Sequence, residues 1–132
     1  YTLDKFGQKK TYKSYGGDYI GVPLVVLIDE GSASASEVVA GALKDYNSAT
    51  FVGHNSFGKG IVQMVYNVGD AEGLKVTVSS YYSPKGTNIH GTGIMPDVVV
   101  DLPEGFAEGY YDRAKDTQLQ KALEILKGKL GN

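Results

Sequence analysis

The chain has no cysteine among its 132 residues. No disulfide framework, cysteine nucleophile or cysteine-based metal site can therefore exist in it. Arginine is nearly missing as well, Arg113 being the only one. Lys and Arg together number 13 against 15 Asp and Glu, a formal net charge of −2. Nucleic-acid binders carry a basic excess rich in arginine, so nucleic acid drops out as a partner class. No apolar run approaches the roughly 20 residues that a membrane-spanning helix needs. His54 and His90 are the only histidines, too few for a convincing zinc set, and no cofactor or metal is expected. What the chain does have is 42% hydrophobic and 21% charged residues, near the averages of globular proteins and enough for one small domain with a real core. Its 18 glycines are about twice the usual share and follow no collagen period, so they read as many tight turns.

Hydrophobic patterning predicts a mixed α/β fold. Residues 1–22 alternate polar with apolar or aromatic positions around Gly7, as an exposed hairpin does. The run Pro23–Ile28 is continuously apolar, which suits an inner strand buried on both faces of a parallel sheet. Over 34–46, Ala35, Val38, Val39, Ala42, Leu43 and Tyr46 recur at helical spacing, which predicts a helix with that stripe toward the core. Asn47 is its stop, and Thr50-Phe51-Val52 is a second strand, completing one βαβ unit. Ile61–Val65, Leu74–Tyr82 and Val98–Val100 read as further strands. Thr117–Lys129 reads as an amphipathic helix built on Leu119, Ala122, Leu123, Leu126 and Leu130.

Ser34 falls where the first buried strand gives way to the helix, among the small residues Gly31, Ser32, Ala33 and Ala35. First-turn amides of a helix lack intrahelical partners, and the dipole favours negative charge beside them. A serine there suits nucleophilic attack, with the Ala35 amide as donor to an oxyanion. Ser34 and Glu37 also match a capping box, which explains the serine without catalysis. Ser32 and Ser36 compete for the same role, and spacing does not choose among the three.

Such a nucleophile needs a base. His54 and His90 lie in glycine-rich loops and leave a Ser-His-Asp arrangement open, although each also reads as a solvated loop histidine. Lys59, between Gly58 and Gly60, is the other candidate, because a buried lysine can lose its proton and act as general base. It also reads as an ordinary surface lysine. Asp45 follows Ser34 by eleven residues, about 16 Å of helix rise, so the two side chains cannot meet and Asp45 reads as structural. Gly53–Lys59 nearly spells a phosphate-binding loop. Position 60 is Gly instead of Ser or Thr, and a strand follows where that loop requires a helix.

Several ordered strings together resemble one family. Gly31-Ser-Ala-Ser-Ala-Ser-Glu37, Ala40-Gly-Ala-Leu43, Phe57-Gly-Lys-Gly-Ile-Val-Gln63, Tyr81-Tyr-Ser-Pro-Lys-Gly86 and Gly93-Ile-Met-Pro-Asp97 are similar to motifs of the carboxy-terminal processing, or tail-specific, serine proteases. The resemblance runs from about residue 19 to 101. It implies Ser34 as nucleophile, Lys59 as general base and Gln63 as support for that lysine. The backbone amide of Ala35 would be an oxyanion donor. Four residues of extended strand span about 13 Å, so contact between Lys59 and Gln63 requires a turned or bulged stretch over 59–63.

The fold implied is a ClpP/crotonase-like protease core, here only in part. Residues 1–101 would be its carboxy-terminal portion and 102–132 an extension with an amphipathic helix. An upstream PDZ-like domain and the first half of the core would be absent, leaving this chain weakly active or inactive alone. The implied substrates are proteins or peptides with exposed C-terminal tails, and the implied location is extracytoplasmic. A sheet edge left exposed would favour homo-oligomers. A non-catalytic scaffold or assembly role for the same fold is the alternative. A crotonase-like acyl-transfer enzyme rests on fold analogy alone, with no coenzyme A site identified.

Overall fold

The computed structural model of the protein describes residues 1–106 and 110–131. Among these residues nine elements follow one another: β1 (Thr2–Asp4), β2 (Lys9–Lys10), β3 (Val25–Ile28), α1 (Ala35–Asp45), β4 (Thr50–Gly53), β5 (Ile61–Asn67), β6 (Gly73–Tyr81), β7 (Val98–Val99) and α2 (Thr117–Leu130). They form two sheets. A parallel one has the order β3-β4-β7, and an antiparallel one the order β2-β1-β6-β5. This is the mixed α/β architecture that the patterning predicts.

The first hairpin turns at Gly7 (φ +79°) and pairs Leu3 with Lys9. It is shorter than its alternating pattern suggests, and β1 also pairs with β6, Leu3 facing Ser80. The apolar run at β3 differs from expectation. It is the edge strand of its sheet, paired only with β4, and Leu27 is 41% exposed. The central strand is β4, whose Phe51 and Val52 are fully buried. No strand beyond β3 exists among the described residues, so its outer hydrogen-bonding edge stays open. Helix α2 starts on an Asp116 cap, whose carboxylate accepts the Leu119 amide, and it packs against β3 and β4.

Helix α1 also departs from expectation. Its buried residues are Glu37, Ala40 and Gly41, whereas Val38, Val39 and Tyr46 of the apolar stripe are about half or more exposed. The reason is steric and polar together. Ser83 and Ile94 pack over Gly41 at ordinary contact distance, their side chains 3.6 and 3.7 Å from where a Cβ would lie. Glu37 is held inside by hydrogen-bond donors. The core that results is small: Ile28, Ala40, Phe51, Ile89 and Ile94, with Val26, Leu43 and Ala49 packed on it.

Asp97 closes this core against β4. Its Oδ2 accepts the Phe51 amide at 2.8 Å, and its Oδ1 pairs with Lys44 Nζ at 2.9 Å. Burial pushes the Asp97 carboxyl up, but these bonds and the Lys44 charge outweigh it and hold the group below its ordinary range.

Candidate active site

Ser34 joins β3 to α1 with φ +56° and ψ −110°, a conformation that non-glycine residues seldom adopt. An ordinary helix cap is extended at this position, so capping alone does not account for the backbone here. Strained backbone of this kind persists where the surroundings over-determine it, and it clusters at functional sites. The capping-box partner is present, since Glu37 Oε2 accepts the Ser34 amide at 2.9 Å, yet the Ser34 hydroxyl makes no cap hydrogen bond. That hydroxyl instead lies 3.4 Å from the Tyr81 hydroxyl. The Ala35 amide makes no hydrogen bond among the described residues, whereas the next two amides donate to the Ala33 and Ser34 carbonyls.

The competing serines are differently placed. Ser32 is committed to the preceding turn, its hydroxyl donating to Asp29 Oδ1 at 2.8 Å. Ser36 is exposed on the first turn of α1. Neither has the positive φ that marks Ser34.

Glu37 is 1% exposed, and its carboxylate accepts four hydrogen bonds. Oε2 takes the amides of Ser34 (2.9 Å) and Lys59 (2.8 Å), while Oε1 takes the Gly58 amide and the Ser56 hydroxyl, both at 2.6 Å. Burial alone would raise this carboxyl, but the Ser56 hydroxyl and the three amides outweigh it and keep the pKa below the ordinary value. The charge is thus held inside by donors that fill its lone pairs, the condition under which a buried carboxylate is tolerable. Ser56 extends the network, its hydroxyl accepting the Ile94 amide at 2.7 Å. Two glycines make this packing feasible. A Cβ on Gly93 would lie 2.2 Å from the Ser56 carbonyl oxygen, and one on Gly58 2.9 Å from the Gly93 nitrogen.

Lys59 therefore enters the site by its backbone, tied to the same carboxylate oxygen as Ser34. It is half-buried, and its Nζ makes no hydrogen bond or ion pair among the described residues. Gln63 follows a register shift between Val62 and Gln63 in the β5–β6 pairing. The stretch after Lys59 is accordingly irregular, but the Gln63 side chain donates to Thr77 Oγ1 at 3.3 Å. The structure ties the Ser34 and Lys59 backbones together through Glu37, Ala35 being the chain neighbour of Ser34, and it leaves Gln63 on Thr77.

The remaining candidates lie elsewhere. His54 pairs with Asp101 at 2.9 Å and Glu30 at 3.7 Å, and His90 Nδ1 faces the Gly58 carbonyl at 3.3 Å, so neither is bonded to Ser34. Asp45 accepts the Lys85 amide at 2.7 Å, the structural role that helix rise predicts. The near-phosphate loop leads into β5 and not into a helix. Sequence reasoning missed Glu37 as more than half of a cap, together with Ser56 and Tyr81. Only the capping-box spacing and the Tyr81-Tyr82-Ser83-Pro84 string pointed toward any of them.

Comparison with known proteins gives a consistent result. The profile described as peptidase family S41 matches residues 1–100. A carboxyl-terminal-processing protease of Synechocystis is 43% identical over 129 residues, 97% of this chain and 30% of that protein. Among solved structures, a photosystem II D1 C-terminal processing protease is 42% identical with a TM-score of 0.58, over 74% of this chain and 27% of that one. A lipoprotein from Streptococcus agalactiae shares the fold at 21% identity and TM-score 0.72, over 97% of this chain and 44% of that one. The chain spans about a third or less of the curated relatives it matches.

Proposed function

The chain belongs to peptidase family S41, and on that premise we propose that it carries the nucleophile and base of a serine endopeptidase that cleaves proteins near their carboxyl ends. The observation that carries the reading is the sharing of Glu37 Oε2 between the Ser34 and Lys59 amides. In this reading the neutral Lys59 amine takes the Ser34 hydroxyl proton as Oγ attacks a peptide carbonyl. The tetrahedral oxyanion then faces the Ala35 amide and the positive end of α1. Lys59 returns its proton to the leaving amine, and water later hydrolyses the acyl-enzyme. Gln63 would take its supporting place by giving up Thr77, whose bond is long and exposed, for Lys59.

Residues 1–101 are assigned to the portion of the core that bears this pair, and 102–132 to the extension that ends in α2. The substrates are assigned as proteins with exposed C-terminal tails, and the location as extracytoplasmic. Turnover by this chain alone is expected to be low. Covalent labelling by an active-serine phosphonate is a single event, so slow chemistry suffices to test the assignment. Labelling should map to Ser34 and disappear in Ser34→Ala and Lys59→Ala. Labelling that persists in Ser34→Ala would refute it.

A second reading, a scaffold or assembly unit without catalysis, is favoured by the bare apolar residues Leu27, Val38 and Val39. Concentration-dependent association without any Ser34 labelling would decide for it.

A further inference from the structure

Tyr81 ends β6, the strand that β1 and β5 flank. Its amide donates to the Gly60 carbonyl at 2.9 Å, and its partner on β1 is Thr2. The backbone is thus held from both sides, on one of them by the residue that follows Lys59. A side chain carried on such a strand is aimed more precisely than one on a loop. Its hydroxyl stands 3.4 Å from Ser34 Oγ in a partly buried setting, with no other hydrogen-bond partner among the described residues. The next residue, Tyr82, is used differently, its ring stacking on Tyr1 with 5.2 Å between centroids.

A buried tyrosine hydroxyl usually finds some partner, so proximity alone assigns nothing. The chemistry of Oγ does. A serine hydroxyl has one hydrogen and two lone pairs. When the hydrogen goes to Lys59 and one lone pair attacks the carbonyl carbon, the other pair is left to accept a hydrogen bond. No cap bond competes for the Ser34 hydroxyl, and Tyr81 supplies the donor. With the direction reversed, the serine hydrogen would point at Tyr81 and away from the base.

We propose that the Tyr81 hydroxyl is a catalytic hydrogen-bond donor to Ser34 Oγ, fixing which lone pair attacks and stabilising the oxygen as it gains charge. The proposal rests on the serine-nucleophile reading above. Tyr81 keeps its own proton throughout, and the proton that moves is the serine's, to Lys59 and then to the leaving amine. A bond to a charged acceptor is about twice as strong as one between neutral groups, so it strengthens as Oγ loses its hydrogen. It acts again when the acyl-enzyme breaks and Oγ departs. A separation of 3.4 Å is long for two hydroxyls, as catalytic hydrogen bonds often are before substrate is bound. An interaction tightened only in the transition state is the kind that raises a rate.

Two substitutions test it. Tyr81→Phe keeps the ring and removes the donor. Phosphonate labelling of Ser34 should slow on the order of ten- to a hundredfold, with the urea midpoint unmoved. Labelling at the parent's rate overturns the proposal. A ring that merely shaped the site could also slow labelling when altered, so the second substitution changes chiefly the acidity of the phenol. A difluorinated tyrosine at position 81 ionises at lower pH than tyrosine does, and an ionised phenol has no proton to donate. Labelling of that variant should fall as pH rises through the ionisation, over a range where the parent's rate does not fall. A pH profile superimposable on the parent's overturns the proposal, whatever Tyr81→Phe has shown. Ser34 labelled alike in the parent and both variants removes Tyr81 and leaves the nucleophile intact. No labelling of Ser34 in the parent overturns the serine chemistry and the part of Tyr81 in it together.

Discussion

Ser34 and Lys59 donate their backbone amides to the same oxygen atom, Oε2 of Glu37, at 2.9 and 2.8 Å. Their nitrogens can be no farther apart than those two bonds laid end to end. Elements distant in the chain are thereby fixed to one point, and the other oxygen of the same carboxylate fixes Gly58 and Ser56. A neutral amide in its place has only one acceptor oxygen. Glu37→Gln should therefore strip partners from one side of the network, costing about 2–3 kcal/mol in urea unfolding. It should also slow phosphonate labelling of Ser34, and a variant with unchanged stability and labelling would contradict this role.

Acid should unfold the protein partly through two carboxylates. Glu37 and Asp97 both titrate lower in the fold than their ordinary values of 4.5 and 3.8. Each contributes stability that is fully present above its unfolded pKa and disappears as pH falls through the lower folded one. Urea midpoints measured from pH 6 downward should decline below about pH 4.5. The slope should flatten in Glu37→Gln and in Asp97→Asn, and parallel curves for variants and parent would argue against both assignments.

The backbone at Ser34 should reveal its strain when the side chain is removed in two ways. Glycine tolerates positive φ and alanine does not. Both Ser34→Gly and Ser34→Ala should abolish labelling, but the glycine variant should be the more stable by about 1 kcal/mol. Thermal unfolding of the pair gives the comparison directly. Alanine equal to or better than glycine would mean that the position relaxes in solution.

Gln63 supplies a test of the base. Losing its exposed bond to Thr77 should change stability by less than about 0.5 kcal/mol. Should Gln63 orient Lys59 during the reaction, Gln63→Ala would lower the labelling rate and displace its pH profile, since the amine's basicity depends on its neighbours. Unaltered rate and profile would leave Gln63 as a strand residue only.

Phe51 is fully buried in a core of few residues. Phe51→Ala should cost about 3–5 kcal/mol, enough to leave much of a small domain unfolded, as loss of near-ultraviolet circular dichroism would register.

The elements themselves were legible because their signals are local. Period-two and period-3.6 patterns, together with turn residues such as Gly7 and Asn47, placed the strands and both helices close to where they lie. Burial was not local, and two expectations failed on it. The α1 stripe of Val38 and Val39 reads as a core face, yet the segment carrying Ser83 and Ile94 packs against Gly41 on another side. That choice depends on residues roughly forty to fifty positions away, which no helical window contains. Likewise the run through β3 announces an inner strand, but which strands flank it is a property of the whole sheet. The Ser34–Glu37 spacing was readable as a cap. That the same carboxylate would also collect Ser56, Gly58 and Lys59 required knowing where the loop after β4 returns.

The inward side of α1 offers little grease: Ala40 and Gly41 are buried beside a carboxylate, with Leu43 partly buried a turn further on. Oily contact is indifferent to angle, so a helix seated on it can roll about its own axis at small expense. Hydrogen bonds weaken steeply with misalignment, and a helix pinned near its first turn by three of them, from Ser56, Gly58 and Lys59, has lost that roll. The azimuth of the hydroxyl at its tip is then set by geometry and not by fluid packing, which is what aiming an attacking oxygen requires.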